Sequence, residues 1–217
     1  MMQKKNTYAV FGLGRYGTAV ARELVENGKE VIAVDSDQKI VNDAAAYLPV
    51  CKCADVTDAE VISRLGIGNI DTVVVCMAGS LEASVMAVTL CKEAGVQNVI
   101  VKCANEMQQK IMLRVGADKV VFPENESGIR LAKNLLSSGF IDMISLSKDV
   151  SMVEIDVKSE WVGKNLIELN LRKKYGFNIV AVKKSGKVNV NVNPEQVLTE
   201  ETTLIVIANT AKLGKIK

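Results

Sequence analysis

Short runs rich in β-branched residues alternate with longer amphipathic stretches over the first half of the chain, from Tyr8 to about Pro123. This alternation is typical of βαβ units, in which helices cover both faces of a parallel sheet. The runs themselves do not alternate apolar and polar residues, as expected of strands that are buried on both faces. The predicted strands are Tyr8–Leu13, Glu30–Asp35, Pro49–Ala54, Asp71–Met77, Asn98–Cys103 and Lys119–Pro123. Six such strands predict a doubly wound parallel sheet of the α/β class.

The first strand runs directly into the motif Gly12-x-Gly14-x-x-Gly17, and the second strand ends in an acidic residue, Asp35. This combination is typical of a Rossmann nucleotide-binding domain. Gly12 permits a tight turn, Gly14 lets the backbone approach a phosphate, and Gly17 lets the helix pack against the strand. Amides at the helix N-terminus attract the anion. The alternative is a strand-to-helix turn that binds no ligand.

Asp35 is expected to accept hydrogen bonds from the ribose hydroxyls of an adenine nucleotide. A carboxylate there repels a 2′-phosphate, and Ser36 and the residue after it provide no arginine to bind one, so NADP is disfavoured. ATP, ADP, NAD and NADH present the same ADP moiety, and the sequence does not choose among them. Ala54 and Asp55 end the third strand at the same edge of the sheet, where they either contact the adenine or pack their own loop.

The pattern changes after the sixth strand. The residues Glu124–Ser138 predict a crossover helix, and a short apolar segment, Phe140–Leu146, follows it. From Val150 onward apolar and polar residues alternate, as in an antiparallel sheet with one buried face. We therefore predict a Rossmann domain that includes the crossover helix, residues 1–139, and a small C-terminal α+β domain, residues 140–217. The thin core of so small a domain favours dimerisation.

Two local signals stand out in the C-terminal part. The segment Asn165–Tyr175 predicts one helix. The segment Lys184–Lys187 reads Lys-Ser-Gly-Lys and predicts a hairpin turn between the strands Phe177–Val182 and Val188–Val192.

Composition argues against several classes of function. Apolar residues make up 48% of the chain, but each apolar run is far shorter than the roughly 20 residues of a membrane span. The first residues do not resemble a signal peptide, so a cytoplasmic protein is expected. A net charge of +2 gives no reason to expect nucleic acid as a partner. The five cysteines include no Cys-x-x-Cys pair and the chain has no histidine, so reduced thiols are expected rather than a zinc site.

A dehydrogenase would need a group that transfers a proton. The chain has no histidine, and none of its tyrosines is followed four residues later by a lysine. The short C-terminal domain leaves little room for a substrate. We therefore expect a sensor that binds a nucleotide without catalysis, and the alternative is a small NAD-dependent oxidoreductase.

Five motifs, in order along the chain, resemble those of the regulator of potassium conductance (RCK) family. They are Val10–Gly17, Val34–Asp35, Ala54–Asp58, Gly116–Asp118 and Phe122–Glu124. Within this family the chain is similar to the regulatory subunits of bacterial Ktr and Trk potassium-uptake systems. The resemblance implies a cytoplasmic subunit that binds ATP, ADP or NAD(H) and gates a membrane potassium channel or transporter. It also implies homodimers that assemble into an octameric ring beneath the membrane.

The resemblance assigns roles to individual residues. Arg15 is similar to an arginine that reaches a phosphate across the dimer interface, and the alternative is a solvated arginine at a helix start. Lys102 is expected near the same crevice, paired with phosphate or with Glu124. Glu124 is similar to a glutamate that holds Mg²⁺ or Ca²⁺ near the phosphates, and the alternative is a charge that favours a helix N-terminus. The other residues of the predicted nucleotide site are Tyr16, Ser36, Met77 and Ala78.

The C-terminal domain resembles those that bind cyclic di-AMP at their own dimer interface. The matching positions are Arg172, Asn178, Ile179 and Pro194. They imply an apolar wall for the base, an amide for its edge and an arginine for the phosphate. A hydrophobic dimer contact without ligand is the alternative for Ile179 and Pro194, and a surface charge is the alternative for Arg172.

Overall fold

The computed structural model describes residues 6–77, 79–136 and 140–213. The chain divides after Glu124 into two compact units. The division predicted from the sequence lies after residue 139, beyond the crossover helix, whereas helix α6 (Pro123–Leu136) begins at the end of the first unit. No helix among the described residues is long and apolar enough to cross a membrane.

The first unit contains the predicted doubly wound sheet, with six parallel strands in the order β3-β2-β1-β4-β5-β6. The strands are β1 (Thr7–Phe11), β2 (Glu30–Asp35), β3 (Cys51–Cys53), β4 (Thr72–Val75), β5 (Asn98–Lys102) and β6 (Lys119–Val121). The helices between them are α1 (Arg15–Glu26), α2 (Gln38–Ala44), α3 (Ala59–Arg64), α4 (Leu81–Glu93) and α5 (Glu106–Val115). The strand order reverses between β1 and β4, and ligands of such sheets bind at that point, at the carboxyl ends of the strands.

Helices bury both faces of this sheet, which explains the uninterrupted apolar runs of its strands. Successive residues of β1 enter opposite clusters. Ala9 and Phe11 pack in one cluster, and Tyr8 and Val10 pack in the other. The central strand is therefore fixed from both sides, and its carboxyl end is a rigid starting point for the glycine motif.

The second unit is a five-stranded sheet in the order β10-β9-β11-β8-β7 with antiparallel pairing. Its core includes Trp161, Phe177 and Leu204. The strands are β7 (Phe140–Ser145), β8 (Val150–Asp156), β9 (Asn178–Lys184), β10 (Lys187–Asn189) and β11 (Thr202–Asn209). The helices are α7 (Leu166–Leu169), α8 (Leu171–Tyr175) and α9 (Thr210–Leu213). This is the small α+β domain that the sequence predicts.

The predicted single helix Asn165–Tyr175 is wrong in one respect. Asn170 adopts the left-handed conformation, with φ at 46°, and separates α7 from α8. Asparagine is one of the few residues that tolerate this conformation. The predicted hairpin turn is confirmed, since Ser185 and Gly186 have φ values of 47° and 78° between β9 and β10. Two left-handed residues in succession are what a two-residue hairpin turn of this kind requires.

Candidate functional site

The glycine motif forms the loop that joins β1 to α1. The amide of Gly12 donates to the carbonyl of Val34 on β2 over 2.9 Å. Gly12 has a φ of 87°, and a Cβ there would lie 2.9 Å from Cγ of Met77. Both the backbone conformation and the close approach of the loop that follows β4 therefore require glycine.

Gly17 lies where α1 packs against the ends of the strands. A Cβ on Gly17 would overlap the carbonyl oxygen of Gly12 and lie 3.2 Å from Cβ of Cys76. Gly14 differs, because it is exposed, has an ordinary φ of −64°, and would meet no atom within 4 Å if it carried a Cβ. The fold thus requires Gly17, whereas it leaves open space beside Gly14.

The N-terminus of α1 lacks the side-chain cap of its neighbours. Gly14 is its N-cap and supplies no side-chain hydrogen bond, and its first turn contains no acidic residue. In contrast, side chains cap α2, α3, α4 and α5; the capping residues are Asp37, Asp58, Ser80 and Asn105. The first amides of a helix need an acceptor, and an uncapped start is suited to an anion.

Asp35 is held in place by two backbone amides. Its Oδ2 accepts from Leu13 in the glycine loop over 2.7 Å, and its Oδ1 accepts from Asp37 at the start of α2 over 2.9 Å. Each carboxylate oxygen has a second lone pair, so Asp35 can still accept from ribose hydroxyls. The carboxylate therefore fixes the loop and also faces the cleft beside it.

A cleft of about 460 Å³ opens beside the glycine loop, over the ends of β2 and β3 and against the start of α4. Six residues predicted from the sequence line it: Gly12, Asp35, Ser36, Ala54, Asp55 and Met77. Seven further lining residues were not predicted: Val34, Val56, Thr57, Ser80, Glu82, Ala83 and Met86. Four of these seven are the N-cap residue of α4, Ser80, and three residues within α4, namely Glu82, Ala83 and Met86. The position of α4 at the strand-order reversal is the signal that could have found them.

The lining of the cleft is apolar and acidic. Three carboxylates face it, from Asp35, Asp55 and Glu82, and its described lining includes no lysine or arginine. Met77 and Met86 supply flexible apolar surface. Such a cleft suits a base and its ribose better than a phosphate, whereas the uncapped start of α1 is suited to an anion.

Asp55 is held in a turn by Thr57. Its Oδ1 accepts from the amide of Thr57 over 2.9 Å and from the hydroxyl over 2.7 Å. The hydrogen bond from the Thr57 amide lowers the pKa of the Asp55 carboxyl most, and the hydrogen bond from the Thr57 hydroxyl lowers it further. Both bonds use Oδ1, which leaves Oδ2 available to a donor group of a ligand.

A second set of predicted residues lies outside the lining of this cleft. Nζ of Lys102 is 2.5 Å from Oε1 of Glu124 and 5.6 Å from the centre of the Tyr16 ring. The hydrogen bond from Lys102 is the largest cause of a lowered pKa at Glu124. Arg15 is exposed at the first position of α1. Ala78 lies outside the described residues.

The described residues do not by themselves fit a divalent cation at Glu124. They contain no group of three acidic, histidine or cysteine side chains that could hold a metal, and the carboxylate of Glu124 is paired with Lys102. One carboxylate alone is a poor site for Mg²⁺ or Ca²⁺, which take six or more oxygen ligands. A cation at this place would need phosphate oxygens or a second copy of the chain.

Cys76 lies beneath the glycine loop. Burial raises the pKa of its thiol to about 12, and the nearby charge of Lys102 offsets this only in part. The thiol is therefore protonated at neutral pH and is a poor nucleophile.

The second unit has a groove of about 430 Å³ between its short helices and β9. Three of the four residues predicted for cyclic di-AMP line it, namely Arg172, Asn178 and Ile179. Pro194 is not part of the lining, but its carbonyl oxygen accepts from the amide of Leu166, a lining residue, over 3.0 Å.

Family models match both units. Residues 8–123 match the TrkA-N domain, and residues 150–217 match the TrkA-C domain.

Two proteins of Bacillus subtilis (strain 168) are similar over nearly the whole chain. Ktr system potassium uptake protein C is 36% identical over 213 residues, which are 98% of this chain and 96% of the relative. Ktr system potassium uptake protein A is 33% identical over 206 residues, which are 95% of this chain and 93% of the relative.

The fold also matches a solved structure, the crystal structure of the GsuK RCK domain. The TM-score is 0.64 at 18% identity, over 99% of this chain and 47% of the other. The chain thus spans about half the length of that structure.

Proposed function

The chain belongs to the family that joins a TrkA-N domain to a TrkA-C domain, and it is similar over nearly its whole length to Ktr system potassium uptake proteins. From this premise we propose that it regulates potassium uptake. It binds an adenine nucleotide in its first unit and transmits the bound state to a potassium-translocating membrane protein. The homology favours this function over the alternative of a small oxidoreductase.

One observation carries the nucleotide assignment. The uncapped start of α1, open beside Gly14, lies next to a cleft whose lining is apolar and acidic. The adenosine moiety occupies the cleft, with the ribose hydroxyls on Asp35 and the base between apolar side chains near Asp55. The phosphates lie at the helix start, where the orphan amides and the macrodipole favour negative charge.

The same arrangement disfavours NADP. A 2′-phosphate would lie against the carboxylate of Asp35, and the described residues of the lining include no cation to offset the repulsion. ADP, ATP, NAD and NADH place the same ADP moiety in the cleft. A divalent cation at Glu124 would have to be completed by phosphate oxygens or by a second copy, and no step of this proposal depends on it.

Regulation follows from differential affinity. We propose that the chain acts as a homodimer within an octameric ring, on the cytoplasmic side of the membrane, and that Arg15 contacts a phosphate in the neighbouring subunit. A nucleotide shifts such a ring between two states only if it binds one state more tightly than the other. Tight binding alone changes nothing.

A second ligand is proposed for the second unit. The groove that contains Arg172, Asn178 and Ile179 has a cation, an amide and an apolar wall, which suit a phosphate and a purine base. We assign cyclic di-AMP to it, and an apolar contact between two copies remains the alternative.

The test is calorimetric titration of ADP into the purified chain in buffer with EDTA, followed by recovery of membrane proteins that co-purify with the tagged chain. The proposal predicts saturable binding of ADP, weaker binding of NADP, and recovery of a potassium-translocating protein. A chain that binds neither ADP nor ATP would refute the nucleotide assignment, whatever co-purifies with it.

A further inference from the structure

Lys102 is a largely buried cation close to the start of α1. It ends β5, and only 16% of its side chain is exposed. Its ammonium contacts the carboxylate of Glu124 at 2.5 Å, whereas 70% of the Glu124 side chain is exposed. The ion pair thus joins a fixed, desolvated cation to a carboxylate at the protein surface.

The ammonium also lies beside the proposed phosphate position. Tyr16 is the second residue of α1 and follows Gly14 by two positions, and its ring centre is 5.6 Å from Nζ of Lys102. The charge of Lys102 is also felt at Cys76, which contacts the glycine loop from below. The ring contact places the ammonium near the second residue of the helix whose start lacks a cap.

A desolvated ammonium needs an anion, and two anions can supply it here. In the structure the partner is Glu124. A nucleotide phosphate would bring more than one negative charge to the same place, and charge-assisted bonds to phosphate are strong. Release of Glu124 from Lys102 would cost little free energy, because 70% of the Glu124 side chain is already exposed to water.

We propose that Lys102 is a phosphate-responsive latch, which holds Glu124 in the unliganded chain and exchanges it for a nucleotide phosphate on binding. This inference rests on the proposed nucleotide site. Glu124 is the second residue of α6, so the exchange frees the first turn of that helix from the end of β5. A change at the phosphates thereby becomes a change at the start of α6.

If Lys102 exchanges Glu124 for phosphate, substitution of Glu124 should tighten ADP binding rather than weaken it. Removing the charge of Glu124 frees Lys102 in advance, so Glu124→Gln is expected to tighten ADP binding about fivefold, equivalent to about 1 kcal/mol. Lys102→Met removes the phosphate partner and is expected to weaken ADP binding about tenfold. Adenosine lacks a phosphate, and its affinity should be the same in both variants and in the wild type.

The double variant separates the latch from simple repulsion between Glu124 and the phosphates. If Glu124 acts through Lys102, Glu124→Gln has no effect in the Lys102→Met background. If it acts by repulsion, the tightening persists there. Glu126→Gln is the matched control, since it removes the same charge two residues further along α6 and should leave the affinity for ADP unchanged.

The experiment is calorimetric titration of ADP and of adenosine into the full chain and these variants, in EDTA. Unchanged or weaker ADP binding by Glu124→Gln overturns the latch, as does tightening that survives in the double variant. Glu124 is exposed, so Glu124→Gln is informative even if Lys102→Met fails to fold. If the wild type binds neither ligand, the nucleotide site itself is wrong and the latch falls with it.

Discussion

Gly14 and Gly17 belong to one motif but have different tasks, and alanine substitutions separate the two. A Cβ at Gly17 would overlap the carbonyl oxygen of Gly12 and press on Cβ of Cys76. These atoms belong to the packed contact between α1 and the strands and cannot turn aside as a flexible side chain would. A Cβ at Gly14 would meet no atom within 4 Å, and the φ of −64° there suits alanine.

The sizes of the two effects follow from these contacts. Overpacking costs up to about 3 kcal/mol, and alanine in place of a helical glycine returns about 1 kcal/mol. Gly17→Ala is therefore expected to destabilise the first unit by about 2 kcal/mol and to lower its Tm by about 6–10 °C. Gly14→Ala loses about 0.5–1 kcal/mol of N-cap preference. The reduced freedom of the unfolded chain offsets about 0.4–1 kcal/mol of this, so the Tm is expected to fall by no more than about 2 °C.

Gly14→Ala should weaken ADP binding strongly, although it hardly changes stability. The added methyl group would stand where we propose that a phosphate approaches the amides of α1, and we expect the Kd to rise at least about tenfold, or about 1.4 kcal/mol. Thermal unfolding followed by circular dichroism gives the Tm, and calorimetric titration gives the Kd. Wild-type affinity in Gly14→Ala, or a wild-type Tm in Gly17→Ala, would refute this division of tasks.

Three further predictions concern stability and the second ligand. The side chain of Asp118 accepts from the amide of Val99 over 2.7 Å and from Lys92 over 3.0 Å, so Asp118→Ala should cost about 1–2 kcal/mol in urea unfolding. Partial burial raises the pKa of the Asp118 carboxyl, but these hydrogen bonds outweigh burial and lower the pKa overall. The stabilisation is therefore present above the unfolded pKa of about 4 and is lost as pH falls through the lower folded pKa. A wild-type unfolding free energy that falls in acid no more steeply than that of Asp118→Ala would contradict this. Asn170 adopts the left-handed conformation, so Asn170→Gly should leave the free energy of unfolding nearly unchanged, whereas Asn170→Val should lower it by about 1–2 kcal/mol in the same assay. Equal stability of the two variants would contradict this. Arg172→Ala should weaken cyclic di-AMP binding about tenfold in calorimetry while ADP binding stays unchanged, and unaltered cyclic di-AMP binding would remove the groove from consideration.

The glycine loop was predictable because each of its requirements is local. The backbone conformation requires glycine at position 12, and close packing requires it at position 17. The role of Asp35 was predictable from its place at the end of β2. The side of the cleft formed by α4 was not predictable in the same way. Glu82 and Met86 reach the cleft because α4 starts where the strand order reverses, and no local pattern distinguishes them from the other residues of that helix.

The second unit shows the same limit. The hairpin turn between β9 and β10 was predictable because Ser-Gly favours two left-handed residues in succession. The break between α7 and α8 was not, since the apolar spacing continues through Asn170 and only the backbone reveals its left-handed conformation. Lys102 and Glu124 were placed at one edge of the sheet by topology, but the sequence left open whether they pair. The structure shows that pair directly.

The central claim is that a nucleotide in the first unit controls potassium movement through a partner. Potassium flux into proteoliposomes that contain the chain with its co-purified membrane protein tests this most directly. We predict that exchanging ADP for ATP changes the flux with the wild-type chain, and that the same exchange has no effect with Gly14→Ala. A flux that is identical with ADP, with ATP and without nucleotide would contradict the account.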